Sequence, residues 1–122
     1  MNQNILRSTS IALADVLGNP GPADAKLGKF FREHREFGNK ERGWIAEAVY
    51  GVLRRRSFLA YLAGNEDPRR LLVAWLVRVQ GNSLRELDEL LNQQQKEWAQ
   101  EIKAKSTDGL SPAIQADLPE WL

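Results

Sequence analysis

Residues 40–62 constrain the fold more than any other stretch, because their apolar side chains keep the spacing of an amphipathic helix over many turns. They recur at positions i, i+3, i+4, i+7 and i+8: Ile45, Ala48, Val49, Val52 and Leu53. A turn at Phe37-Gly38-Asn39 comes before them, with Asn39 as a good N-cap, and Gly64-Asn65 comes after them. The pattern predicts one helix from about residue 40 to residue 62.

Helical spacing also dominates the rest of the chain, broken by Gly, Pro and Asn. A fourth helix opens with Asp67 as its N-cap and Pro68 in its first turn, and ends at Gly81-Asn82. It is apolar almost all round, so we expect it at the centre of the core. The further predicted helices cover residues 2–17, 23–34, 83–91 and 94–105, with a last turn or two after Ser111-Pro112. The prediction is an all-α domain of about six or seven helices.

Composition limits the class of protein and the kind of site. A chain of 122 residues is one domain by length, and it has no cysteine and one histidine. Disulfides, thiolate metal sites and thiol nucleophiles are thereby excluded. No apolar run approaches the length of a membrane span and no signal pattern opens the chain, so we expect a cytoplasmic monomer without a membrane partner.

Charge is unevenly distributed along the chain. Residues 1–80 carry 13 Lys and Arg against 8 Asp and Glu, whereas residues 81–122 carry 4 against 8. This asymmetry fits a protein that meets an anion on one side, although ordinary surface scatter would also produce it.

Basic residues concentrate around the turn at Phe37-Gly38 and at the end of the predicted third helix. Six of them are candidates for contacts with RNA phosphates: Arg32, Arg35, Lys40, Arg42, Arg54 and Arg55. The alternative is that they are solvated or pair with acids, and Glu33, Glu36 and Glu41 lie between those near the turn. On a helical wheel Arg56 falls near the centre of the apolar stripe, so it must pair with a buried acid, extend its charged end to solvent, or lie where the helix bends. We expect a structural role for it.

The remaining candidates favour structure over chemistry. His34 is expected to cap the end of the second helix, and the phenylalanines near the turn are expected in the core more than as base-stacking platforms. Trp44 and Trp75 are predicted to be buried and Trp98 half exposed. No catalytic triad, paired carboxylates, phosphate loop or metal-ligand spacing is visible, so a catalytic site is not predicted.

Three stretches carry a family resemblance. FREHREFG (residues 31–38) with ERGWIAEAVYGVLRRR (residues 41–56), and LPEWL (residues 118–122), resemble the N-terminal domain of bacterial rRNA cytosine-C5 methyltransferases. These are the RsmB-like enzymes of the Nol/Nop/Sun family. Their N-terminal domain is similar to the antitermination factor NusB, an all-α RNA-binding fold.

The resemblance implies a NusB-like RNA-binding domain over residues 1–117, with residues 118–122 starting the linker toward a catalytic domain absent from this chain. It also implies two partners, rRNA and the protein's own C-terminal methyltransferase domain. S-adenosylmethionine is then expected for the full-length protein, with no cofactor in this fragment. The family's reaction needs a thiolate, so this cysteine-free fragment is not expected to catalyse it. The alternatives are a free-standing NusB-type antitermination factor and an intramolecular scaffold domain without RNA contact.

Overall fold

A computed structural model describes residues 2–115, and within them the chain forms seven α-helices and no strand. The helices are α1 (Gln3–Gly18), α2 (Ala23–Glu33), α3 (Asn39–Arg54), α4 (Arg56–Ala63), α5 (Pro68–Ala74), α6 (Gln93–Ala104) and α7 (Pro112–Gln115). A π-helical segment, Trp75–Val79, continues α5 without a break. The predicted all-α bundle of six or seven helices is confirmed. The LPEWL segment lies outside the described residues.

Helix α5 lies at the centre of the bundle, as its apolar sequence predicted. It packs against α1, α3, α4 and α6. Every residue from 71 to 77 is buried, and four of them have no exposed surface. The buried polar side chains of Thr9 and Ser10 on α1 donate hydrogen bonds to carbonyls one turn back on their own helix, so that neither is left unsatisfied.

Local signals set most of the helix ends. Asp67 accepts a hydrogen bond from the Arg69 amide at 2.9 Å, with Pro68 in the first turn of α5. Asn92 and Gln95 form a reciprocal capping box at the start of α6. Gly64 ends α4 in the left-handed conformation, with a φ of 83°. At α3 the N-cap is Gly38 and not the predicted Asn39, which is the first residue inside the helix.

The predicted single helix over residues 40–62 is wrong, because the chain breaks at Arg55. There φ is −129° and ψ is 32°, and the chain turns to begin α4. The break also overturns the position given to Arg56 by a straight helical wheel. Arg56 is exposed, and its Nε donates to Glu66 at 2.8 Å. The apolar face of α4 is formed instead by Phe58, Leu59 and Leu62.

The predicted helix over residues 83–91 is also wrong. Ser83 and Glu86 do exchange the two hydrogen bonds of a capping box, at 2.9 and 3.2 Å. The chain then runs through consecutive turns in place of a helix. The leucines of this segment are nevertheless buried in the core: Leu87, Leu90 and Leu91. Tertiary burial of these side chains therefore holds the segment, without a regular backbone.

Trp98 is buried, with 7% of its surface exposed, and not half exposed as predicted. The guanidinium carbons of Arg70 and Arg69 lie 4.4 and 5.9 Å from its ring centroid and cover it. A polar helix therefore buries its tryptophan beneath arginines from α5. Within residues 2–115, every helix is too short or too polar to span a lipid bilayer.

Candidate nucleic-acid interface

The connection between α2 and α3 is held by aromatic stacking. His34 is the C-cap residue of α2, as predicted, and its ring stacks on Phe30 at a centroid distance of 4.2 Å. The ring of Phe37 also stacks on that of Phe30, at a centroid distance of 6.3 Å. Tyr50 on α3 donates a hydrogen bond to Asp24 on α2, and this bond raises the pKa of the tyrosine. The stacking fixes how the end of α2 faces the start of α3, and the Tyr50–Asp24 bond joins the first turn of α2 to the later part of α3.

Three of the predicted RNA-binding arginines meet at this connection. Arg32, Arg35 and Arg42 line, together with Phe31, a concave site of about 260 Å³ that we call the arginine notch. Arg32 and Arg35 come from the end of α2 and the turn after it, and Arg42 comes from the first turns of α3. The side chain of Arg35 is steadied by a hydrogen bond from its Nε to the Arg32 carbonyl, at 3.4 Å.

No carboxylate neutralises the notch within residues 2–115. Arg32, Arg35 and Arg42 form no ion pair there. The guanidinium of Arg42 lies over the Phe31 ring, 6.0 Å from its centroid. Its Nε is buried and has no hydrogen-bond partner among the described residues, an arrangement that is unfavourable unless another acceptor is supplied. The notch therefore concentrates positive charge beside an aromatic ring.

The acids that interrupt this basic sequence are engaged elsewhere. Glu33 lies 3.9 Å from Lys29 on the same helix, and Glu36 lies 3.4 Å from the His34 ring. Glu41 accepts a hydrogen bond from the Gly38 amide at 3.4 Å and so caps α3. The acidic and basic side chains that alternate in the sequence are therefore separated in space, because each acid has a local partner outside the notch.

The other three candidates lie apart from the notch. Lys40 is exposed in the first turn of α3 and does not line it. Arg54 is exposed at the far end of α3, twelve residues after Arg42 and hence about 18 Å along the helix axis. Arg55 sits at the helix break, half-buried, with an Nε that has no hydrogen-bond partner among the described residues. The structure brings three of the six predicted residues together, and RNA binding by any of them stays a prediction.

Phe31 was missed as part of the site, because the sequence favoured a core position for all the phenylalanines of this region. Phe30 is buried, whereas Phe31 is half-buried and packs edge-on against it with centroids 5.7 Å apart. A signal was present, since Phe31 directly precedes Arg32, and Arg35 follows in the turn after the predicted second helix.

The described residues hold no cluster of three or more His, Asp or Glu side chains that could bind a metal ion. Comparisons with protein families, curated proteins and solved structures found no match for this chain. The site must therefore be judged from its own geometry, and the family resemblance remains a hypothesis.

Proposed function

We propose that this chain is a non-catalytic RNA-binding domain that positions structured rRNA for a SAM-dependent cytosine-C5 methyltransferase. The observation that carries RNA binding is the arginine notch, where three arginines without carboxylate partners among the described residues line one concave site together with a half-buried aromatic ring. The role in methylation is supported by the sequence resemblance over residues 31–56 and 118–122.

The chemistry of the notch suits a nucleic-acid backbone. Guanidinium groups bind phosphate with two parallel hydrogen bonds, and they remain charged at any physiological pH. An aromatic face or a stacked arginine next to the phosphate site accepts an unpaired base. A bulge or loop in a structured RNA presents both groups side by side, so we expect such an element to bind more tightly than a regular duplex.

Catalysis is assigned to another part of the protein. Methylation at C5 of cytosine by this family proceeds through a cysteine thiolate, and this chain has no cysteine. Under this proposal the S-adenosylmethionine site and the thiolate belong to a C-terminal catalytic domain. The present domain would contribute affinity and orientation for the RNA, and a face that packs on its catalytic neighbour.

Charge reversal tests the notch directly. Arg32 and Arg35 are both exposed, so the double variant Arg32→Glu/Arg35→Glu should keep its fold. It should bind an rRNA hairpin with a bulge at least about tenfold more weakly, since one charge-assisted hydrogen bond contributes roughly 1.5–3 kcal/mol. The slope of log affinity against log salt should flatten by roughly 0.7–0.9 for each phosphate that the variant no longer neutralises.

The matched control is Arg85→Glu/Lys103→Glu, which makes the same change of charge at two exposed positions outside the notch. It should lower affinity only slightly. Equal decreases in affinity for the two double variants would show that RNA binding depends on net charge alone and that the notch is not the binding site. Unchanged affinity in both would favour the scaffold alternative.

Arg54→Glu asks whether the interface extends to the other end of α3. A lower affinity in this variant, in addition to the effect at the notch, would mean that one RNA spans the roughly 18 Å between the two ends. An effect at the notch alone would confine the interface to the α2–α3 connection.

A further inference from the structure

Helix α1 carries an apolar residue that the bundle does not cover. Ile11 is 55% exposed and is the one exposed large hydrophobic side chain among residues 2–115. A single exposed isoleucine is common on protein surfaces. This one, however, lies inside a groove of about 450 Å³, between α1, the start of α5 and the start of α6. That volume is in the range of specific binding sites.

The walls of this groove, the α1 groove, combine a short apolar strip with one unpaired charge. Ile11 and Ala14 of α1 face Pro68 across it and supply the strip. Asp67 and Arg69 also line the groove but pair with each other at 3.0 Å. Arg7, one turn before Ile11, forms no ion pair within the described chain, so it is the uncompensated charge of the groove.

The amide side chains of the groove present hydrogen-bond donors on its rim. Asn92 and Gln95 cap α6 through their side-chain oxygens, and Gln3 donates to the Leu91 carbonyl at 3.5 Å. The side-chain NH2 groups of Asn92 and Gln95 are not used by the cap, and like the Arg7 guanidinium they can donate to a carboxylate. Arg7 supplies the charge that selects an acidic ligand, and the apolar strip supplies the contact area.

The groove is elongated along α1. Its α1 lining runs from Gln3 to Ala14, which corresponds to about 16 Å of helix. About five residues of extended polypeptide cover that length, at roughly 3.3 Å per residue. A compact metabolite would fill only one end, so the shape favours a peptide segment.

We propose that the α1 groove docks a peptide segment of a partner protein that carries a carboxylate beside aliphatic side chains. The carboxylate pairs with Arg7, and the aliphatic side chains cover Ile11, Ala14 and Pro68. This site uses none of the residues of the arginine notch and does not depend on RNA binding.

The probes are two synthetic pentapeptides, acetylated and amidated at their ends: Glu-Leu-Ala-Leu-Glu and its charge-swapped counterpart Lys-Leu-Ala-Leu-Lys. Each is titrated into ¹⁵N-labelled protein and followed by NMR. The glutamate peptide should shift the amide signals of Arg7, Ile11 and Ala14 saturably, and it should bind at least about fivefold more tightly than the lysine peptide. Arg7→Glu should reverse that preference.

A second variant separates apolar packing from charge. Ile11→Ser should lower the affinity for the glutamate peptide by about fivefold. It should leave the melting temperature unchanged, because the side chain is exposed in the free protein. Arg32→Glu/Arg35→Glu is the matched control and should bind the peptide like the wild type. The proposal for the notch and the proposal for the groove are therefore tested with different variants and different ligands, so that one can fail without the other.

Three results would overturn the proposal. One is that the glutamate peptide shifts signals elsewhere, or that the protein binds it no more tightly than the lysine peptide. Another is that the Arg7→Glu variant does not reverse the preference. The third is a dimer in sedimentation velocity that Ile11→Ser dissociates, which would assign the groove to a second copy of this chain.

Discussion

Replacing Gly51 by alanine should destabilise the domain strongly, although alanine is the better helix former. Gly51 is a buried residue of α3, and the indole of Trp75 lies directly over it. A Cβ at this position would fall 2.8 Å from Cε2 and 3.0 Å from Cδ1 of the ring, and closer still to Nε1. Carbon atoms pack best at about 3.5–4.0 Å, so the ring would have to move by at least roughly 0.7 Å.

The ring has little room to move. Trp75 is only 3% exposed, and Trp44 packs against it edge-on with centroids 6.1 Å apart. Overpacking a core typically costs about 1–3 kcal/mol, and a rigid indole against backbone belongs at the upper end. The gain in helix propensity from glycine to alanine is about 1 kcal/mol. The net expectation for Gly51→Ala is a decrease in stability of about 2 kcal/mol, or about 8 °C in melting temperature.

Gly43→Ala is the matched control, because it makes the same change on the same helix. Gly43 is exposed, and a Cβ there would have no atom within 4 Å. It should gain stability by about 1 kcal/mol from helix propensity alone. Urea and thermal unfolding, followed by circular dichroism, measure both variants. A Gly51→Ala variant at least as stable as Gly43→Ala would refute the packing of Trp75 on α3.

Two other predictions follow from exposed ion pairs. Arg56→Glu should lower the free energy of unfolding by less than about 1 kcal/mol, because it replaces an exposed ion pair with Glu66 by two like charges in solvent. A decrease above about 3 kcal/mol in urea unfolding would mean that Arg56 is buried in the core. The pKa of Asp67 is lowered, first by its hydrogen bond from the Arg69 side chain, so its contribution to stability is present above about pH 4 and lost as pH falls through the folded pKa. Asp67→Asn should be less stable than the wild type at pH 6, and the gap should close below about pH 4; a gap independent of pH would contradict this linkage.

The helix ends were predictable where their signals are local. Caps and stop residues act over one turn, so α1, α2, the start of α5 and α6 begin or end within about a residue of prediction. The break at Arg55 has no such signal, because no Gly or Pro lies between residues 52 and 63. After the break, α4 packs against α5 and against α7, and α7 lies far along the chain, so local sequence carries no signal for that contact.

The candidate site was predictable in composition but not in arrangement. Sequence spacing identified the basic residues around Phe37-Gly38, yet it left open whether the interleaved glutamates neutralise them in space. Only the structure shows that Glu41 caps its own helix while Arg42 turns toward Phe31. It also separates Arg54 from this group by the length of α3, a distance that the order of basic residues along the chain does not convey.

RNA binding by the arginine notch is tested most directly by an NMR titration of ¹⁵N-labelled protein with a bulged rRNA hairpin at low salt. We expect the largest shifts on Phe31, Arg32, Arg35 and Arg42; these shifts should saturate together and shrink as salt is raised. Signals from α6 should move least, since acids such as Glu97 and Glu101 lie on its exposed face. Shifts spread evenly over the surface, or absent from the α2–α3 connection, would contradict RNA binding by the arginine notch.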